Sequence, residues 1–372
     1  MSAPSELRLR NGVHLPAPPW LAATGPDADV VVSTRCRLAR NLAGAPFPWR
    51  ATEGQRRDAS LALVDAMRRA GAPLCGTALV PRDEVTQTEL DTLVAWRYAS
   101  LLWAQPAGER WLAVGENPAC SALVQEEDHL RLQTILPGNQ IDEAAHTCGQ
   151  MEAALRREVE FAYDDQFGHL TASPVNSGCG MRMSALLHLP GLSAQGMLDE
   201  VLQAALAVGC SVRGLYGEGT LRSAGFVQVS NTTSYGIQYN QVVERVSASV
   251  QYLTHAERQA RREQFGSSQG RAEFEGAVRK WVEQLRSEDW TPKRLLPLVS
   301  LLRLAVAEGV LGGTLRDTSR WVALAGVAAV SVSPGLPATE RYEAIRRTAA
   351  LSGELRRLMR ERGTAMGCSP DR

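Results

Sequence analysis

Four stretches of the chain set arginine beside small, polar or glycine residues. They are STRCRLAR (33–40), LVQEEDHLRLQ (123–133) with Arg131, SPVNSGCGMRMS (173–184) with Arg182, and VRGLYGEGT (212–220) with Arg213. In the first, Ser33, Arg35 and Arg37 fall at i, i+2 and i+4, so on a strand they share one face. Guanidinium forks match phosphate oxygens bidentately, which ammonium groups do not. Brought together, these side chains form a floor for a polyphosphate, and their mutual repulsion is severe unless an anion lies between them. Counted back from Arg131 with period two, Glu127 and His129 join it on one face, while Asp128, Leu130 and Leu132 take the other. A carboxylate at Glu127, inside such a floor, is expected to stay ionised because neighbouring cations favour its charged form. Each segment also has a plain reading: a lone strand arginine is usually a surface residue, NSGCG is a turn, and Glu218 between two glycines is a loop acid.

What is missing narrows the chemistry. There is no GxxxxGK[ST] loop, no kinase HRD or DFG set, no GxGxxG after a strand and no GxSxG. Seven scattered cysteines without a CxxC pair indicate neither a disulfide framework nor a zinc site, and no metal-ligand cluster has usable spacing. Of the 40 basic residues only Lys280 and Lys293 are lysines, so a bound phosphate would be held by arginine or by backbone amides. Zero net charge argues against a general nucleic-acid or membrane-surface binder. No apolar run approaches the roughly 20 residues of a membrane span, and the N-terminus lacks a signal-peptide core; a cytosolic location is expected.

The elements that must position these residues are mixed. Strand-like runs are predicted over 29–40, 77–80, 110–114, 121–125, 130–136, 209–216 and 225–231, and helices over 52–71, 144–163 and 193–209. From about Ile237 helical patterns take over: 237–265, 272–288, 292–308 and 338–362. The order implies an α+β domain with a largely antiparallel sheet flanked by helices, plus a helical C-terminal domain. The expected organisation is an N-terminal arm (1–28), a catalytic domain (29–245) and a helical domain (246–372).

Taken in order, STRCRLARN, EEDHLRLQ, LTASPVNSGCGMRMSALLHLPGL, VRGLYGEGT and FVQVSN resemble the ATP:guanidino phosphotransferases, and most closely their bacterial protein-arginine kinase branch. The resemblance runs in register over roughly 28–250 and weakens beyond. The short segment before Ser33 fits that branch, since kinases of free guanidino compounds carry a helical domain there. The resemblance implies that Ser33, Arg35, Arg37, Arg131, Arg182 and Arg213 grip ATP, with Mg²⁺ accompanying the nucleotide. It makes Glu127 the carboxylate that holds the acceptor guanidinium and takes its proton, and Glu218 a second carboxylate on a closing loop. It also implies that Ser173 and Asn176 line the substrate pocket. It further implies protein substrates with exposed arginines, a homodimer, an activator or protease–chaperone partner, and a role in stress response. Departures are Ser173 and Val175 where relatives read SCPTN, Gln125 in place of Asn, and Tyr342 where a C-terminal RDxxRA motif has Asp. They leave open a catalytically weakened nucleotide-binding regulator; a kinase of a free guanidino compound is the other alternative.

Overall fold

A computed structural model describes residues 6–74, 76–214, 224–287 and 292–330. A short hairpin, β1 (Glu6–Arg8) and β2 (His14–Pro16), precedes the long strand β3 (Val31–Arg40). Helix α1 (Glu53–Arg69) follows. Thr52 caps it by accepting the Gln55 N–H while the Gln55 side chain accepts the Thr52 N–H. Then come β4 (Ala78–Pro81), α2 (Gln87–Ala95), α3 (Leu101–Ala104), β5 (Trp111–Val114), β6 (Cys120–Val124), β7 (Leu130–Pro137) and α4 (Ile141–Leu155). The ribbon β8 (Tyr163–Asp164) and β9 (Gly168–His169) leads to β10 (Met181–His188), α5 (Pro190–Ala194), α6 (Leu198–Ala207), β11 (Cys210–Gly214) and β12 (Phe226–Asn231). The described chain closes with α7 (Tyr239–Phe265), α8 (Ser268–Ser287), α9 (Pro292–Ala307) and α10 (Leu315–Val330). None of its helices is long and apolar enough to cross a membrane.

Eight strands form one sheet in the order β11-β12-β10-β3-β7-β6-β5-β4; its antiparallel pairing is what the order of strands and helices implies. Alternation gives each strand an apolar side. Cys36, Leu38, Leu132, Met181, Met183, Ala185, Val227 and Val229 point together into the main core, under α4 and α7. Helix α7 runs through position 245, and its Val242, Val246, Val250 and Leu253 belong to that core. On the opposite face, Ile135, Leu186 and Phe226 are covered by Leu295, Leu302, Trp321 and Val322 of α9 and α10. Leu112 and Leu123 on that face are covered by Leu90 and Leu93 of α2. Between these two apolar covers lies a polar stretch of sheet.

Several boundaries differ from expectation, each for a local reason. The stretch around Glu127 is not a strand but the turn of the β6–β7 hairpin, closed by Gln125 N–H to His129 O (2.9 Å) and Glu126 N–H to Asp128 O (3.1 Å). Met181–His188, over which the sequence predicts no strand, is a central strand. The helix predicted over 193–209 is two, broken at Gly196 with φ +72°. Helix α10 had no counterpart in the sequence reading. The expected helix 338–362 and Tyr342 lie outside the described residues.

A buried pair joins α7 to this frame. Glu257 accepts Arg261 Nε at 2.6 Å and the N–H groups of Gly191 (2.9 Å) and Leu192 (3.0 Å) at the start of α5. Substituting Glu257→Ala leaves three buried donors without that carboxylate and is expected to cost about 3–5 kcal/mol. Chemical denaturation reads this directly; an unchanged midpoint would show that the pair contributes nothing.

Candidate active site

Register decides which arginines meet. Residues directly opposite one another across neighbouring strands project to the same face. Arg37 lies opposite Arg182 on β10 and Gln133 on β7; Ala39 lies opposite Arg131; Arg35 lies opposite Ser184 and Ile135. Farther out, Arg213 lies opposite Gln228, which is opposite Leu186 and thereby in line with Ser33. Thus Ser33, Arg35, Arg37, Arg131, Arg182 and Arg213 share one face, in the polar stretch between the apolar covers. Arg35, Arg37, Arg131, Gln133 and Gln228 line one cavity of about 150 Å³. Arg182 is aimed by a hydrogen bond to Ser230 Oγ (3.0 Å), Arg213 is exposed on the edge strand, and Ser33 is buried.

The cations strain one another. Burial first, then Arg97, Arg131 and Arg182, push the Arg35 guanidinium down to about 9. Burial and the charges of Arg35, Arg131 and Arg182 push Arg37 well below its ordinary value; Arg182 is lowered by burial, Arg213 and Arg131. Guanidinium keeps its proton in proteins, so these directions express the cost of crowding charge rather than a deprotonated state. The Nε atoms of Arg35, Arg37 and Arg182 are buried without a hydrogen-bond partner. Orphaned cationic donors converging on one face fit a polyanion, which would supply both the acceptors and the opposite charge.

The acidic side is the hairpin turn. Asp128 Oδ1 accepts from Asn41 Nδ2 (2.7 Å) and from the Ala172 N–H (2.6 Å), tying the turn to the end of β3 and to the segment carrying Ser173. His129 N–H donates to Asn41 Oδ1 (2.9 Å). Glu126, Glu127 and Ala172 line a second cavity of about 630 Å³, with Trp49, Arg56 and Arg110. The carboxylate engaged with the arginine floor is Glu126, with two contacts of 2.5 Å to Arg131 and a hydrogen bond from Ser100 Oγ. Glu127 is half-buried beside it. Its carboxyl is pushed up by burial and by the Asp128 charge, which Arg131 only partly offsets. Arg131 does favour the ionised form, as expected of a neighbouring cation, but burial and the Asp128 and Glu126 charges outweigh it.

Ser173 precedes a single helical turn, Pro174–Asn176; its carbonyl accepts from Thr171 Oγ1 (2.7 Å) and the Asn176 N–H (2.9 Å), and both side chains are half-buried, Ser173 directly following the Ala172 that Asp128 holds. Glu218 lies outside the described residues. Sequence reasoning missed Glu126, Ser100 and Arg97. Arg97 sits in a turn with φ +64°, its guanidinium 5.2 Å over the Trp20 ring, and lines the arginine cavity. Nothing in its spacing signals this, whereas Glu126 was adjacent to a chosen acid.

Crowding implies a trade-off. Arg37→Met is expected to raise the melting temperature of the ligand-free protein by about 2–4 °C and to weaken tripolyphosphate binding at least tenfold, on the order of one charge-assisted contact. Calorimetry with and without tripolyphosphate checks both halves. A destabilised variant with unchanged affinity would mean that Arg37 is structural.

Comparison with known proteins agrees with this geometry. Residues 77–260 match the family model described as ATP:guanido phosphotransferase, C-terminal catalytic domain. A protein-arginine kinase of Moorella thermoacetica is 38% identical over 247 residues, covering 65% of this chain and 70% of that protein. One of Symbiobacterium thermophilum is 35% identical over 295 residues, covering 78% and 83%. Among solved structures, a lombricine kinase superposes with a TM-score of 0.56 at 21% identity, over 68% of this chain and 73% of the other. The duplicated taurocyamine kinase of Schistosoma mansoni gives 0.56 at 24%, over 66% of this chain and 36% of its own; both share the fold. With relatives at this identity and coverage, and motifs that fall together on one sheet face, the chain belongs to the ATP:guanido phosphotransferase family.

Proposed function

We propose that the protein is a protein-arginine kinase, moving the γ-phosphoryl group of ATP to arginine side chains of proteins. The observation that carries the proposal is the single sheet face on which Arg35, Arg37 and Arg182 hold buried, unpartnered Nε donors next to the hairpin that bears Glu127. The similarity to protein-arginine kinases supports the choice of acceptor. In this reading the five arginines bind the nucleotide phosphates and stabilise the charge spread over the equatorial oxygens in transfer. The charged groups that line the floor's cavity, Arg35, Arg37, Arg97 and Arg131, are cations, so Mg²⁺ would be held by phosphate oxygens and water. We also place the enzyme in the cytoplasm, as a homodimer answering to an activator.

An arginine acceptor is a poor nucleophile, because its lone pairs are delocalised and it is cationic. Glu127 fixes the guanidinium plane and draws off a proton. Burial helps here: a carboxylate whose proton affinity is raised is the stronger base. Glu126, by clamping Arg131, keeps the phosphate-side cation out of the acceptor's place. Glu218 would supply the second carboxylate, and Ser173, where relatives have cysteine, leaves that position without a thiol to oxidise.

Incubation with ATP, Mg²⁺ and an unfolded protein is expected to yield phosphoarginine, read by mass spectrometry under neutral conditions. Glu127→Gln should lower transfer by about 10²–10⁴-fold with ATP binding retained; ordinary turnover in that variant would remove Glu127 from its role. The pH dependence follows from the same carboxyl. It must be ionised to accept a proton and its folded pKa is raised, so kcat/KM should fall on the acid side above the ordinary glutamate value of about 4.3. Asp128→Asn removes one of the causes and should move that limb to lower pH. A limb at or below the ordinary value would contradict the assignment.

A further inference from the structure

The cavity that contains Glu127 has an aromatic wall that the reaction described above does not use. Trp49 lines it, and its side chain is 68% exposed, so no core packing accounts for an indole at this position. The loop that carries it is fastened to the acid hairpin. His129 Nδ1 accepts the Leu42 N–H (3.2 Å), which puts the proton of the neutral ring on Nε2, and Nε2 then donates to Pro46 O (3.0 Å). The Phe47 carbonyl takes the N–H groups of Arg50 (2.9 Å) and Ala51 (3.0 Å), closing the loop into a turn around Trp49. The indole is thus held by backbone geometry in the same pocket wall as the hairpin and stays largely exposed.

One face of the ring already carries a guanidinium: Arg50 Cζ lies 5.4 Å from the centre of the Trp49 ring. A planar cation over an indole is held by the ring quadrupole, and tryptophan is the strongest of the aromatic partners. We propose that Trp49 is a specificity-determining residue that takes the flat face of the acceptor arginine while Glu127 takes its N–H edge; the proposal rests on the kinase reading above. The two contacts are complementary. A carboxylate alone attracts lysine as well as arginine, whereas a stacking surface beside it favours the planar, weakly hydrated guanidinium. The Arg50 contact shows that this exposed indole takes a guanidinium against its face.

The test uses the full-length protein and a fluorescent peptide bearing a single arginine. Initial rates are measured against peptide and against ATP for the wild type, Trp49→Ala and Trp49→Phe, together with peptide binding by anisotropy in the presence of a non-hydrolysable ATP analogue. Trp49→Ala is expected to raise the peptide KM and the peptide dissociation constant about five- to tenfold. The KM for ATP and the melting temperature should stay at wild-type values, and Trp49→Phe should recover most of the peptide affinity. Wild-type peptide binding in Trp49→Ala, or an equal rise in the KM for ATP, would overturn the inference while leaving the kinase reading standing. A wild type that makes no phosphoarginine would instead overturn that reading.

Discussion

Positive charge of one sign, packed where water is scarce, governs this molecule. Strand pairing forces Arg37 and Arg182 side by side, with Arg35 and Arg131 within range, and apolar covers on either side keep the face from being fully solvated. Among the described residues, Glu126 is the carboxylate that contacts this face, through Arg131. The rest of the structure serves to hold an arrangement that is unfavourable by itself. A broad antiparallel sheet, clamped by α4 and α7 behind and by α2, α9 and α10 in front, supplies the rigidity. Sites built to stabilise developing charge commonly store such strain, which preorganises them.

The acidic half of the site depends on a different set of constraints. A five-residue turn would be free to move, yet four of its members are bolted to other segments: Gln125 to Arg56 and Arg110, Glu126 to Ser100 and Arg131, Asp128 to Asn41 and Ala172, His129 to Leu42 and Pro46. Glu127 is the member of this acidic run without such a tie, half-buried and facing the larger cavity. Fixing the neighbours while leaving one carboxylate available is a consistent way to present a base to an incoming substrate. Because Asp128 is both a fastener and a nearby negative charge, the turn's rigidity and the raised proton affinity of Glu127 have a shared origin.

Much of this was legible from residue order. The alternation in Val31–Arg40 gave the face shared by Ser33, Arg35 and Arg37, and the ordered motifs indicated which other arginines belong with them. Period two fixes the face of a residue but not its neighbour across the ladder, so the Arg37–Arg182 pairing had to come from the fold. The hairpin turn was hidden because Gln-Glu-Glu-Asp-His lacks the Asn-Gly or Gly signal of a tight turn. Its Gln125 adopts φ +56° while its side chain donates to Arg56 O and its carbonyl accepts from Arg110 Nε, and Asn41 holds Asp128 and His129. The glycines before Met181 similarly disguised a central strand. Arg97 and Trp49 sit on irregular loops, where no periodicity exists to be read.

The central claim is that the buried guanidinium groups await one polyanion together. Arginine Nε–H resonances, followed by ¹⁵N NMR during titration with ATP, report on those atoms directly. The Nε–H signals of Arg35, Arg37 and Arg182 should shift in concert, reach saturation at one equivalent of nucleotide, and become protected from exchange with water. Signals that stay in place, or that respond separately at different nucleotide concentrations, would contradict a single phosphate-binding floor.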